Sequence, residues 1–378
     1  MTAKKDICFI IPTLTQGGAE RVIINLIKHL DRTQFCITIM VVNMRDEIYS
    51  KEIQKDVNFI DLKSKHVRTA IPSIIFNIWK LRPDIVMSTI GYLNIAIGMI
   101  KFLMPSNIEF FARETIVVSE RLRRAKYPQI WKFWYRYYYP RFDKVICQSR
   151  DMFHDLASVI DYGENLVLIN NPVDYKYIKE RVGYENLYAQ KFFNNKSNIY
   201  LVASGRLIDQ KGFDILIKAI KIVSNSKVKL AILGHGPLEN ELRALIEKCG
   251  LKENVFLIGY QENPYSWISQ ADGFILSSRY EGFPNVVLEA LACRTPVVST
   301  PAPGGAREIL EKIPGCFLSN RIDPLSLAEA ISLFITSKKI KITEKAIDPY
   351  TVKKITKQYE NVFLLNRDMN DIHFNNNI

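Results

Sequence analysis

Two carboxylates, two cations and the glycines beside them are the residues of this 378-residue chain best suited by type and spacing to do chemistry. The densest stretch reads Ser278-Arg-Tyr-Glu-Gly-Phe-Pro-Asn-Val-Val-Leu-Glu and continues to Thr300. Pro284 suits the first position of a helix that Asn285 continues, so the loop Glu281-Gly282-Phe283 ends where free backbone N–H groups and the positive end of the helix dipole face outward. Such a helix start binds anions. Glu289 lies about one and a half turns further on, on an otherwise apolar helix, while Glu281 sits in the loop before it. A carboxylate accepts hydrogen bonds from paired hydroxyls such as a ribose or hexose diol, and these two are spaced to address different parts of one nucleotide sugar. The plainer alternative is that both are solvated. A second block, Gly205-Arg206-Leu-Ile-Asp-Gln-Lys211-Gly212, follows a strand-like run. Arg206 and Lys211, flanked by glycines that permit close approach, can hold a diphosphate from two sides.

Other chemistries lose their support in the same residues. The pattern G-x-x-x-x-G-K-[ST] is not met, and no G-x-G-x-x-G follows a strand, so ATPase and simple dinucleotide readings have no motif behind them. Six cysteines (Cys8, Cys36, Cys147, Cys249, Cys293, Cys316) form no C-x-x-C pair and have no His at ligand spacing. Reduced, mostly buried thiols are expected, with neither a zinc site nor a redox motif. Gly234-His235-Gly236-Pro237 is a tight turn in which His235 reads as structural.

These residues must be held by alternating strands and helices. Ile7 to Ile11 is an apolar run of strand length, Pro12 to Gly18 is turn-rich and opens on Gly17-Gly18, and Ala19 to Leu30 has a helical period. Further strands are expected at 37–42, 85–88, 108–112 and 144–148. From Tyr175 to Ser197 the chain reads as polar and aperiodic. A second series follows, with strands at 200–204, 229–233, 255–258, 273–277 and 296–300 and helices at 213–223, 238–249 and 284–292. This is the pattern of an α/β protein with two doubly wound, Rossmann-like domains. The expected division is 1–174 and 175–349, with a C-terminal helix within 350–378 returning to the first domain and the Asn-rich end, 368–378, fraying. Open sheets of this kind bind ligands at the carboxyl ends of their strands, which predicts a site in a cleft between two facing sheets.

Taken together, Gly17-Gly18-Ala19-Glu20-Arg21, Gly205-Arg206 with Lys211-Gly212, Gly234-His235-Gly236-Pro237 and Glu281-x7-Glu289 occur in an order and spacing that resembles the retaining glycosyltransferases of family 4. The resemblance is most specific over residues 198–310 and rests in the N-terminal half on the Gly-Gly loop and the general layout. It implies the GT-B fold, with the donor held mainly by the C-terminal domain and the acceptor by the N-terminal one. It further implies that Arg206 and Lys211 bind the donor diphosphate, Glu289 the ribose and Glu281 the sugar hydroxyls, with Gly282, Phe283, Pro284 and Asn285 around the donor. On the same grounds the Gly17 and Gly18 backbone reaches the β-phosphate. Catalysis then falls to Glu281, Arg206 and Lys211, with no protein nucleophile, no bound metal and no cofactor beyond a nucleotide-sugar co-substrate, UDP-linked by expectation. Many relatives carry a His where this chain reads Ser88-Thr-Ile-Gly-Tyr-Leu-Asn94. Asn94, Arg113 and Glu114 are the acceptor contacts nominated in its place, a structural Arg–Glu pair being the alternative.

Charge placement points to a further partner. The net charge is +12, and residues 121–150 alone hold nine Lys and Arg against one acid, Asp143. Aromatic residues interleave with these cations, a composition suited to the headgroup layer of an anionic membrane. Arg123, Arg124, Trp131, Lys132 and Trp134 are the expected membrane contacts. A core helix with a solvated basic face is the alternative; nucleic acid is not expected, because no recognised binding motif accompanies the window. No apolar run reaches the roughly 20 residues of a spanning helix, and the N-terminus lacks a secretory pattern. The expectation is a protein of the cytoplasm, peripheral on the inner membrane face and transferring a hexose or N-acetylhexosamine to a lipid-linked saccharide in surface-polysaccharide assembly.

Overall fold

The computed structural model describes residues 4–15, 17–44 and 53–365. The end expected to fray, 368–378, and the last part of the expected helix within 350–378 lie outside the described residues. Two sheets organise the chain. The first contains β1 (Lys5–Ile11), β2 (Phe35–Val41), β3 (Asn58–Asp61), β4 (Ile85–Thr89), β5 (Glu109–Arg113), β6 (Lys144–Cys147) and β7 (Leu166–Leu168), in the order β3-β2-β1-β4-β5-β6-β7. Its helices are α1 (Gly18–His29), α2 (Val67–Leu81), α3 (Gly91–Ile100), α4 (Val118–Arg124), α5 (Pro128–Tyr138) and α6 (Arg150–Ile160). Strands of a parallel sheet are covered on both faces and therefore read as apolar runs, as Ile7 to Ile11, buried throughout, does.

Two short helices follow, α7 (Tyr175–Val182) and α8 (Leu187–Phe192). The second sheet contains β8 (Ile199–Ser204), β9 (Val228–Leu233), β10 (Val255–Gly259), β11 (Gly273–Leu276), β12 (Val297–Ser299) and β13 (Phe317–Leu318), in the order β10-β9-β8-β11-β12-β13 with parallel pairing. Its helices are α9 (Phe213–Val223), α10 (Glu239–Lys248), α11 (Tyr265–Ile268), α12 (Asn285–Ala292), α13 (Ala306–Leu310) and α14 (Pro324–Thr336), and α15 (Val352–Leu364) ends the described chain.

By compactness the chain divides into a first unit of Met1–Arg113, Arg141–Val145 and Val352–Ile378 and a second of Glu114–Pro140 and Ile146–Thr351. Within the first unit, α15 is anchored by Phe363, whose ring stacks on Phe111 at 5.9 Å and meets Phe9 and Phe35 edge-on at 6.3 and 6.1 Å. Edge-to-face and offset aromatic pairs add to the burial of their surface, and Phe363 does this beside the equally buried Ile355, Tyr359 and Val362 of the same helix.

Residues 175–197 correct the reading of that stretch as aperiodic. Asp174 caps α7 through the Tyr177 N–H at 3.0 Å, and Asn186 caps α8 through the Ala189 N–H at 3.0 Å. Phe192, at the end of α8, packs on Tyr200, Phe256 and Trp267. The helices are too short to show a period, but each begins with a residue whose side chain satisfies an open helix N–H. All six cysteines are free; Cys8, Cys147 and Cys293 are buried, Cys36 is exposed, and burial pushes the Cys8 thiol up to about 12. Among the described residues no helix is long and apolar enough to cross a membrane.

Candidate active site

The order β9-β8-β11 sets β8 beside β11, although some seventy residues separate them in the chain, so the loops leaving their carboxyl ends lie side by side. Those loops carry Gly205 to Gly212 and Ser277 to Gly282. They are laced together at backbone level. Ser277 Oγ donates to the Lys211 carbonyl at 2.8 Å, Gln210 Nε2 to the Tyr280 carbonyl at 3.1 Å, and the Arg279 N–H to the Gln210 carbonyl at 2.8 Å. Arg279 also forks onto both oxygens of Asp214, at 2.8 and 2.9 Å, in the first turn of α9. Gly212, at φ 61°, allows this approach: a Cβ there would lie 2.1 Å from the Ser277 carbonyl oxygen.

The lacing brings Lys211 and Glu281 into contact. Lys211 Nζ lies 2.6 Å from Glu281 Oε1, and Ser278 Oγ donates to the same oxygen at 2.6 Å. Glu281 is buried and its N–H is bonded to the Pro303 carbonyl at 2.9 Å, so both its side chain and its backbone are fixed. Arg206, on the same loop as Lys211, is exposed, and among the described residues no side chain pairs with its guanidinium. One cation is therefore held against a carboxylate and the other stands open to solvent. Pro284 is the cap residue of α12 and Asn285 its first, one position later than expected; Asn285 Oδ1 accepts from Asn171 Nδ2 at 2.7 Å. Gly282 and Phe283 are buried, Phe283 against Gly305, and the Gly282 carbonyl accepts the Gly305 N–H at 2.8 Å. Glu289 is half-buried on α12. His235 serves through its backbone, its carbonyl accepting the Leu207 N–H at 3.0 Å.

Two contacts bind α4 and the loop before it to this site. The Thr115 carbonyl oxygen stands 2.2 Å from where a Gly282 Cβ would be, and the Arg124 guanidinium lies 4.0 Å over the Tyr280 ring, beside Glu281. Glu114, one residue before Thr115, is buried, accepting from the hydroxyls of Tyr139 and of Tyr135 (3.3 Å) and from the Thr115 N–H (3.0 Å). Burial pushes its carboxyl above the usual range, against the opposing pull of Arg121 and of these donors. The folded chain thus holds this proton more tightly than the unfolded chain does. That contribution to stability is full below the unfolded value of about 4.3 and is lost as pH rises through the folded one. In urea unfolding from about pH 4 to pH 8, the wild type is expected to lose stability relative to Glu114→Gln; parallel curves would contradict the shift.

The other nominated residues take separate places. Gly17 caps α1 and Gly18 begins it, both in the first unit; a Cβ on Gly17 would fall 2.0 Å from Glu20 Oε2. Asn94, Arg113 and Glu114 are all buried. Asn94 joins Ser88 Oγ (2.8 Å) to the Arg113 carbonyl (3.1 Å), so none of the three offers a free surface to an acceptor in this structure. In the same loop Ile90 stands at φ 75°, with its N–H on the Arg113 carbonyl and its own carbonyl accepting from Leu93 and Asn94. Of the expected membrane contacts, Arg123 and Arg124 pair with Glu120 at 2.6 and 2.5 Å. Trp131 and Trp134 are half-buried against each other, and Lys132 is half-buried. The exposed large apolar side chains described in this region are Tyr127, Ile130, Phe133 and Tyr137, the last two stacked on each other. Sequence reasoning also missed Ser278, Gln210 and Arg279, whose adjacency to Glu281 and Lys211 was the available signal.

Comparison with known proteins places these loops among described ones. Residues 185–353 match the family described as Glycosyl transferases group 1, and residues 16–177 the family described as Glycosyltransferase Family 4. An uncharacterized glycosyltransferase of Methanocaldococcus jannaschii is 32% identical over 252 residues, which are 65% of this chain and 61% of that protein. The chain thus spans about three fifths of that relative's length. The N-acetylgalactosamine-N,N'-diacetylbacillosaminyl-diphospho-undecaprenol 4-alpha-N-acetylgalactosaminyltransferase of Campylobacter jejuni is 26% identical over 312 residues, covering 79% of this chain and 81% of that one. Among solved structures, Anabaena HepE in complex with UDP superimposes with a TM-score of 0.78 at 19% identity, over 95% of this chain and 99% of that chain. This likeness shows a shared fold.

Proposed function

Since the chain belongs to the family 4 glycosyltransferases and has their GT-B fold, we propose that it moves a hexose or N-acetylhexosamine from a UDP-sugar to a polyprenyl-diphosphate-linked saccharide. The observation that carries this reading is the Lys211–Glu281 pair, braced by Ser278 and set on the loop of the open Arg206. A diphosphate leaving group gains charge as its bond to the sugar breaks. A cation already held in place, as Lys211 is, stabilises that charge with little reorganisation, while the open Arg206 is free to close on it. Arg206 and Lys211 meet it, while Glu281 holds sugar hydroxyls and Glu289 the ribose. The anomeric carbon parts from the diphosphate oxygen and joins the acceptor oxygen on the same face, and the acceptor proton passes to the departing phosphate. No resident metal takes part.

The donor assignment is supported by HepE, solved with UDP and also with UDP-glucose. For the acceptor, the support is the Campylobacter relative, whose name specifies a diphospho-undecaprenol glycan. The exposed Tyr127, Ile130, Phe133 and Tyr137 among the cations of α4 and α5 suit contact with an anionic membrane, at its cytoplasmic face.

The test is release of UDP or GDP from a panel of nucleotide sugars in EDTA, with and without a polyprenyl-linked glycan extract. One donor giving acceptor-dependent release is the expected result, and Arg206→Ala lowers kcat/KM for it by about tenfold to a hundredfold without altering the melting temperature. Release only on adding a water-soluble acceptor would replace the lipid-linked substrate, and silence until a divalent metal is supplied would overturn the metal-free step.

A further inference from the structure

In the first unit, helix α2 is apolar on its solvent side. Ala70, Ile74 and Ile78 face the core, as expected of a surface helix. The opposite stripe reads Arg68, Pro72, Phe76 and Trp79, at spacings that keep all four on one face, and all are exposed, Phe76 at 65% and Trp79 at 45%. Trp79 Nε1 donates to the Leu103 carbonyl at 3.1 Å. That bond ties the stripe to the turn Lys101–Leu103, where Phe102 is 75% and Leu103 45% exposed. Four large apolar side chains are thus gathered on two neighbouring elements, each left between about half and three quarters exposed by the described residues. Scattered exposed hydrophobics need no explanation, but a joined patch of this kind marks a contact surface.

The charges around the patch identify its partner. Residues 62–104 contain Lys63, Lys65, Arg68, Lys80, Arg82 and Lys101 against a single acid, Asp84. Five of these cations are exposed, and the Arg82 guanidinium lies 5.9 Å from the centre of the Trp79 ring. Aromatic rings rimmed by cations fit an anionic bilayer, where the rings enter the headgroup layer and the cations meet lipid phosphates. We propose that the α2 face and the turn Lys101–Leu103 form a membrane-docking surface of this chain, separate from the aromatic residues of α5. The inference rests on the reading above that the protein works on a membrane-linked substrate.

The test compares binding of the wild type, Phe76→Ser/Phe102→Ser and Phe133→Ser/Tyr137→Ser to vesicles of phosphatidylcholine with and without phosphatidylglycerol. Both pairs are exposed, so matching melting temperatures are expected. The α2-face variant is expected to bind anionic vesicles about tenfold more weakly than the wild type, while keeping acceptor-independent donor hydrolysis. Arg68→Glu/Lys80→Glu is expected to weaken binding to anionic vesicles alone. Undiminished binding by Phe76→Ser/Phe102→Ser, with the wild type bound, overturns the α2 surface and leaves the membrane reading standing. If the wild type ignores anionic vesicles, both fall. A wild-type dimer that this variant splits, with vesicle binding unchanged, would reassign the patch to self-association.

Discussion

Lys211→Ala is expected to cost the protein twice, in turnover and in stability. On the proposed role of Lys211 against the leaving diphosphate, its removal lowers kcat/KM by about two to three orders of magnitude, the usual scale for one group acting on transition-state charge. The same change leaves Glu281 buried with the Ser278 hydroxyl but without its counter-charge. Stranding one member of a fully buried pair costs about 3–5 kcal/mol; Lys211 is only partly buried, so a loss toward or below the lower end is expected, which urea unfolding resolves. The double variant Lys211→Ala/Glu281→Gln separates the two losses, because a neutral amide needs no cation: most of the stability should return while activity stays lost. A single variant as stable as its parent would remove the pair from the account of the fold. Full turnover would remove it from the site.

Gly282→Ala should be nearly as damaging, although it adds only one methyl group. Its Cβ would stand 2.2 Å from the Thr115 carbonyl oxygen and 2.8 Å from the carbonyl carbon. Both atoms are backbone, so no side chain can swing aside. Either the loop that carries Glu281 moves or the segment after Glu114 does, and a shift of an ångström at a reacting centre costs on the order of a hundredfold in rate. Overpacking of this kind also costs about 1–3 kcal/mol. Gly163→Ala is the matched control, since its Cβ would make only an ordinary contact, 3.8 Å from Ala157 Cβ. Equal behaviour of the two variants, in steady-state rate and melting temperature, would show that the close approach carries no weight.

The fold was legible wherever burial imposed a pattern. Strands covered on both faces, such as Ile7 to Ile11 and Leu230 to Leu233, are unbroken apolar runs in the sequence. The strands passed over are Asn58–Asp61, Leu166–Leu168 and Phe317–Leu318, each at the edge of its sheet, no more than four residues long and only partly buried, which leaves no run to read. In the site, residue type was legible but pairing was not. Glu281 and Lys211 stood out as a carboxylate and a cation beside glycines, yet their contact follows from β8 lying next to β11, which no local pattern encodes. Arg124 was hidden for a related reason: within a run of surface cations nothing distinguishes the one that lies over Tyr280.

Ile90 shows how the end of β4 meets whatever approaches it. A β-branched residue at φ 75° is held at a cost of about 1–3 kcal/mol, and here hydrogen bonds on both its N–H and its carbonyl hold it. The ordering of this turn is complete on folding. A molecule that did approach this turn would meet a contour already set by the fold and would spend no affinity on ordering it.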